Sequence, residues 1–454
     1  MKAVSTRRLM MACAAMAVLL APAWALAQDA PSHAGDDPVL QSLINEALAR
    51  NPDLMAADAS IRSSRERANQ LSARPDPMLS TTYTNDGWAP SLGSMPMTTL
   101  GVMVSQELPY KGKRQARVDV ATSAARQAEP PLVRARLGIE AAVKRAYYGL
   151  LLARELLKLT GEQRDLWRDI EVVARGRYAV GQGAQQDVLR VQVEVTRIEQ
   201  RAIEQAAEAE LRLAEINRLL ARSINTRVET SARLALSPLS VTLESAIDGA
   251  RSVSPELASA RLAISTEKSV QAAAQLDFKP DFAIQGGYMN RGGLDPMWLA
   301  GFSMTLPINK QKRTSAIAES QIRAEGEQRV IESLDLLLRL RTQERVTRAR
   351  TAEKIVDLYD QGIVPQDRMT VESSLANYQS GRVPFVSVLE AMTSLYADRW
   401  TRENLVADHA RLLASLQEAS LEASPEMTTV GTMTAAGSGI VPAAMGSGMG
   451  GRQE

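Results

Sequence analysis

The chain carries one series of local motifs twice, in the same order, at an offset that stays between 198 and 205 residues. Asn51-Pro52-Asp53-Leu54 returns as Ser254-Pro255-Glu256-Leu257, each within an alanine-rich amphipathic run. Pro75-Asp76 and Tyr83 return as Pro280-Asp281 and Tyr288, and Pro96-Met97 with Gly101 as Pro296-Met297 with Gly301. Leu108-Pro109 with Lys113-Arg114 returns as Leu306-Pro307 with Lys312-Arg313. Tyr178, Gly181 and Val188-Leu189 return as Tyr378, Gly381 and Val388-Leu389. A period this long lies far outside those of solenoids, so it reads as one supersecondary unit duplicated and fused. Whatever the fold, two copies of one unit must build it.

Composition narrows the unit. Only 4% of residues are aromatic while 45% are hydrophobic, so the apolar content is mostly Ala, Leu and Val. That favours long helices with thin seams over a thick globular core. With 53 basic against 52 acidic residues there is no nucleic-acid footprint. Lys2, Arg7 and Arg8, the apolar run Leu9 to Leu20, and Ala25-Leu26-Ala27 form a secretory signal, so residues 1–27 are expected to be removed. Cys13 lies inside that segment, which leaves the mature chain without cysteine and makes a lipid anchor there the disfavoured reading. No run of 18 apolar residues follows, which excludes a transmembrane helix and leaves a soluble, peripheral or β-barrel protein.

Within each half, textures alternate. Leu43, Leu48, Leu54, Ile61 and Leu71 mark helix from about 40 to 74, broken by Pro75. Two short segments follow, Met78 to Trp88 and Thr99 to Leu108, the second with Leu100, Val102 and Val104 on one face. The other half repeats them at about 281–290 and 297–306, where Trp298, Ala300, Phe302 and Met304 share a face. Each is about ten residues, the length a tilted strand needs to cross a bilayer. Beyond them, positions 152, 156, 159, 163, 166, 170 and 173 alternate spacings of four and three, a coiled-coil seam. It resumes after Gly181 and Gly183 with Val188, Val191, Val195 and Ile198, and around Gly381 with Phe385, Val388, Met392 and Leu395. About 60 helical residues make a rod roughly 90 Å long, so each half is expected to hold a long antiparallel helical hairpin with its tip near Gly181 or Gly381. The expected organisation is a signal peptide (1–27), an N-terminal arm (28–39), a first repeat (40–238), a second (239–423) and a Gly/Met/Ala-rich tail (424–454) expected to be disordered.

A duplicated unit of helix, two strands and a helical hairpin behind a signal peptide resembles the TolC-type outer-membrane efflux proteins. The resemblance rests on Arg177-Tyr178-Ala179-Val180-Gly181 with Asp187-Val188-Leu189, on Tyr378-Gln379-Ser380-Gly381 with Val388-Leu389-Glu390-Ala391, and on the strand exits Gln106 to Arg114 and Leu306 to Lys310. It covers roughly residues 40 to 420. It implies an α+β fold, mainly long α-helices: a homotrimer whose subunits each give four strands to a shared twelve-stranded barrel in outer-membrane lipid and their helices to a periplasmic tunnel. It implies docking to a periplasmic adaptor and an inner-membrane pump of the RND type, and export of heavy-metal ions or small toxic compounds. From Leu79 to Arg114 the sequence looks most like the heavy-metal (CzcC/CusC-like) branch. By that resemblance Arg177, Gly181, Asp187, Tyr378, Gly381 and Arg382 are candidates for the periplasmic gate and adaptor docking. Three Asp187 carboxylates would form a ring able to pair with Arg382 or Arg177, against the plainer reading of Asp187 as a helix N-cap. Trp298 and Phe302 are candidates for the lipid-facing side of the barrel.

No catalytic constellation, phosphate loop or metal-spaced pair appears, so an enzyme is not expected, nor a cofactor. His33 lies in the expected arm and His409 is read as a helix-surface residue. Thioethers suit Cu(I), and Met95, Met97, Met103 and the tail residues Met427, Met433, Met445 and Met449 stand against a plain gap-filling reading. Type I protein secretion or drug efflux is the alternative within the resemblance. A soluble periplasmic coiled-coil scaffold is the rival of another class.

Overall fold

The computed structural model describes residues 37–85, 88–91, 97–230 and 233–423. The expected signal peptide, most of the arm, His33, Met95, Pro96 and the tail lie outside these residues.

Among the described residues, ten α-helices and four strands alternate as the duplication requires. Helix α1 (Pro38–Arg50) is capped by the Asp37 side chain, and α2 (Pro52–Ser72) by Asn51, whose carboxamide accepts from Asp53 N. Their counterparts α6 (Leu243–Val253) and α7 (Pro255–Leu276) are capped by Thr242 and Ser254. In α2 and α7 a proline sits in the first turn, where its missing N–H costs nothing. Leu43, Leu54 and Ile61 are buried as their spacing predicts, whereas Leu71, past the packed part of α2, is exposed.

Strands β1 (Met78–Thr84), β2 (Thr99–Leu108), β3 (Asp281–Arg291) and β4 (Leu294–Thr305) form one antiparallel sheet in that order. The centre of the sheet is the β2–β3 pair, which joins the two repeats across the whole first helical region; Val102 faces Tyr288 and Val104 faces Gly286. β1 ends at Thr84, short of the expected Trp88. Asn85 closes it, accepting from Tyr83 Oη (3.2 Å), Ser91 N (3.3 Å) and Thr98 Oγ1 (3.4 Å). The second hairpin is also tighter than expected: Gly292, at φ +66°, and Gly293 make its turn, and β4 runs back through Pro296. Proline is tolerated there because β4 is an edge strand with its outer amides unpaired.

The helical part is long and thin. After α3 (Lys113–Arg126) the chain breaks at Gln127-Ala128 and restarts as α4 (Glu129–Ala179) with Pro130-Pro131 in its first turn. Helix α5 (Gln185–Leu219) returns along α4. In the second repeat α8 (Lys310–Leu358) continues through one π-helical turn (Tyr359–Ile363) into α9 (Val364–Gln379), and α10 (Phe385–Glu418) returns. Lys310 to Gln379 is thus helical throughout, roughly 100 Å at 1.5 Å per residue. Of the seam residues, Leu152, Leu156, Leu159, Gln163, Ile170, Val191, Ile198, Phe385, Val388, Met392 and Leu395 are buried. Leu166, Val173, Val188 and Val195 are only half-buried, and Trp167 and Ala174 take the buried places next to Leu166 and Val173. Among the described residues no helix is long and apolar enough to cross a membrane.

His409 is a correction. It is 1% exposed, on α10 beside buried Leu405, Val406 and Leu412, and its Nε2 lies 3.0 Å from Glu353 Oε1 on α8. The same Oε1 accepts from Leu239 N at 2.6 Å, so the pair pins the segment between the repeats. Burial, outweighing Glu353, holds the imidazole below its usual pKa.

Candidate functional site

Both hairpins turn with the same backbone. Gly181 N donates to Tyr178 O (3.0 Å) and Gln182 N to Arg177 O (2.9 Å); Gly381 N donates to Tyr378 O (3.0 Å) and Arg382 N to Asn377 O (2.8 Å). This pair of bonds is the Schellman motif, and it places one residue in the left-handed region. That residue is Gly181 at φ +69° and Gly381 at φ +78°, where an L side chain is strained.

Side chains then tie the two tips of the chain together. The Arg177 guanidinium lies 4.5 Å from the centre of the Tyr378 ring, and its Nη2 donates to Gln182 O at 3.0 Å. Its Nε and Nη1 are buried with no hydrogen-bond partner. Tyr378 is buried, edge-on to Phe385 (5.5 Å), and Phe385 is edge-on to Trp167 (6.4 Å). The Tyr378 hydroxyl donates to Asp187 Oδ2 at 3.4 Å, a long bond. Burial first, then the Asp187 carboxylate, raises the phenol pKa, so Tyr378 stays a neutral donor.

Three of the six tip candidates, Arg177, Tyr378 and Asp187, therefore meet through their side chains, with Arg177 passing beside Gly381, while Gly181 forms only its own turn. Arg382 does not join them; its side chain is exposed and forms no ion pair among the described residues. Asp187 is not an N-cap either. Ala184 holds that position, and Asp187 sits in the first turn of α5, where a carboxylate favours the helix dipole. Trp167 was not among the candidates. It takes the buried seam place that the sequence reading gives to its neighbour Leu166, at spacings from Gln163 and Ile170 that the period also allows.

A second polar cluster escaped sequence reasoning. Near the π-turn, Ser394 Oγ lies 3.4 Å from Asp367 Oδ1 and 3.3 Å from Asp398 Oδ2, and Asp367 Oδ2 is buried without a partner. Burial, with Asp398 beside it, pushes the Asp367 carboxyl up to about 6. Arg402 on α10 donates to both oxygens of Asp360 on the π-turn (2.9 and 3.2 Å). Among the described residues, no group of three or more His, Cys, Asp or Glu side chains gathers to hold a metal ion.

The sheet separates its residues by chemistry. The register places Tyr83, Val102, Val104, Tyr288, Ile284, Trp298 and Phe302 on one face and Ser80, Thr82, Gln285, Met289, Met297 and Ser303 on the other. On the first face Phe282 stacks on Phe302 (5.7 Å) and Tyr288 meets Trp298 edge-on (5.1 Å). Trp298 is 80% exposed and Phe302 66% exposed in the single chain.

This arrangement, two strand pairs above two helical hairpins, has counterparts. The family model described as outer membrane efflux protein matches residues 43–222. The nickel and cobalt resistance protein CnrC of Cupriavidus metallidurans is 24% identical over 71% of this chain and 76% of its own. The outer-membrane channel OprN superposes with a TM-score of 0.71 at 17% identity, over 85% of this chain and 90% of OprN. CusC superposes at 0.68 and 17% identity, over 85% and 92%. Residues 43–222 thus match the outer membrane efflux protein family, and the solved channels share the fold of the chain.

Proposed function

We propose that this protein is an outer-membrane efflux channel of a Gram-negative cell, with a periplasmic extension, and that it works as a homotrimer. Its four-stranded sheets close into one twelve-stranded barrel, and its helices form a tunnel that docks a periplasmic adaptor and an inner-membrane pump. The observation that carries this is the sheet. It exposes two unpaired edges, β1 and β4, and one face on which aromatic and aliphatic side chains outnumber the polar Thr81, Gln106 and Asn290. Open edges and an apolar face are untenable in lipid unless neighbouring copies pair the edges and close the ring. The same face argues against the soluble scaffold, which would present it to water. Trp298 and Phe302 then face lipid, while Gln285 and Ser303 face the lumen. The tunnel is a passive conduit, catalysing nothing and drawing its energy from the pump.

The tips are the gate and the docking end in this reading. Arg177 and Tyr378 latch one subunit's hairpins together, and the exposed Arg382 is free to meet a neighbouring subunit or the adaptor. The cargo is heavy-metal ions or small toxic compounds, a reading supported by the likeness to a nickel and cobalt resistance protein. The test is expression in a channel-deleted Gram-negative host with its native adaptor and pump. A heat-modifiable trimer in the outer membrane is expected, with raised tolerance to nickel or cobalt. A heat-insensitive monomer in the periplasmic fraction would refute the barrel. A trimer that raises tolerance to drugs alone would refute the metal cargo.

A further inference from the structure

The two repeats differ where strands pass into helices. At the second exit the arginine is consumed: Arg313 Nε donates to Asp277 O (2.6 Å) and its Nη1 to Asn309 O (2.7 Å). At the first exit its counterpart Arg114 forms no hydrogen bond or ion pair among the described residues, and neither do Arg74 and Lys111. Lys113 of the same turn, by contrast, is buried and held by Asp281 at 2.8 Å. The three uncommitted cations line a cavity of about 460 Å³ with Gln106, Glu107 and Tyr110. Glu107 offsets one charge and leaves a net of two positive charges. Leu108, the last residue of β2, belongs to the apolar face of the sheet. The cavity lies at the helical end of β2, which the barrel reading puts at the depth of the lipid headgroups on that side of the membrane.

We propose that this cavity binds the phosphate of an anionic phospholipid from the leaflet nearest the helices and fixes the height of the barrel in the membrane. Basic pockets at this depth select anionic headgroups, and the amphipathic Tyr110 suits the same boundary. The proposal rests on the barrel reading. At about fivefold per net charge, two charges give a preference of roughly twenty-five-fold for anionic over zwitterionic lipid.

The experiment uses the full-length trimer in neutral detergent, titrated with micelles containing phosphatidylglycerol or phosphatidylcholine, with bound lipid counted by native mass spectrometry. Wild type is expected to prefer phosphatidylglycerol and Arg74→Gln/Lys111→Gln/Arg114→Gln to show no preference. Arg74→Lys/Arg114→Lys, which keeps the charge, is expected to keep it. Equal preference in wild type and the triple variant overturns the site. Displacement of the lipid by millimolar inorganic phosphate overturns the lipid in favour of free phosphate. A heat-modifiable trimer on the same samples separates the two readings: a trimer without lipid preference overturns only the cavity, and absence of the trimer in wild type overturns the barrel.

Discussion

Tyr378 is the residue on which the proposed tip latch turns, and its three contacts can be removed separately. Tyr378→Phe deletes only the hydroxyl, and its 3.4 Å bond to Asp187 is long enough that the loss should stay below about 1 kcal/mol. Arg177→Met deletes a cation–π contact of about 1–2 kcal/mol in this partly buried setting. It also removes two buried nitrogens that lack partners, so the net change should be small. Tyr378→Ala removes a ring that is 2% exposed and packed on Phe385, a loss of about 3 kcal/mol even where the site collapses well. If the closed tunnel depends on this latch, about 3 kcal/mol corresponds to roughly a hundredfold gain in the open population per subunit. In planar bilayers, open probability should rise strongly in Tyr378→Ala and little in Tyr378→Phe or Arg177→Met. The tip lies far from the sheet, so the heat-modifiable trimer should persist in all three. Equal behaviour of the Ala and Phe variants would refute the packing argument. Wild-type gating in Tyr378→Ala would remove these residues from the gate.

Four further expectations follow from particular contacts. Phe302→Lys should reduce the fraction of heat-modifiable trimer far more than Ser303→Lys, since a lysine at a lipid-facing midplane costs about 2–4 kcal/mol; the reverse order would mean the barrel is inside out at β4. Gly381→Val, forcing a β-branched residue to φ +78°, should abolish efflux with normal trimer levels; surviving efflux would exclude that turn from docking. Asp367 has its folded pKa raised to about 6, so ionising it opposes folding above that pH and stability recovers as pH falls through 6. Asp367→Asn should thus stabilise the protein at pH 7.5 by about 1 kcal/mol after screening, read as a raised unfolding midpoint, with no gain expected near pH 4. His409 has its folded pKa lowered, so its contribution is complete above the usual value of 6.5 and is lost as pH falls below it. His409→Gln should flatten that acid limb of the stability profile, and an unchanged limb would mean that other groups set it.

What was legible in the sequence was whatever a period or a forced backbone encodes. The seam from Leu152 to Ile170 and its partner from Phe385 to Leu395 were readable because burial recurs every three or four residues. The tips were readable because a Schellman turn needs a residue with positive φ, and glycine supplies it. The contacts that make the site were not legible. Tyr378 and Asp187 are 191 residues apart, and no local pattern carries a bond of that span. His409 was misread as a surface residue although Leu405, Val406 and Leu412 flank it at seam spacing; its polarity hid a position that the period marked. The end of β1 was missed because Asn85, a residue typical of turns, gathers the hydroxyls of Tyr83 and Ser91 from across the loop.

The duplication explains which parts stayed alike and which drifted apart. Backbone geometry is common to the halves: both tips close with the same two hydrogen bonds, and both short helices start on a polar cap followed by proline. Side chains at equivalent places have taken opposite tasks. Tyr178 at the first tip is half exposed, whereas Tyr378 at the second is buried and receives Arg177 from the first. Arg313 caps its own exit, whereas Arg114 stands uncommitted over a cavity. A tube of six like units would bind its surroundings identically at every position. In the proposed trimer, two unlike units per subunit would let different tasks be divided between the repeats, so an effect confined to one tip or one exit is the signature to look for. The paired substitutions Tyr178→Ala and Tyr378→Ala test this directly: only the second should loosen the closed state, and equal effects would show that the repeats still act as equivalents.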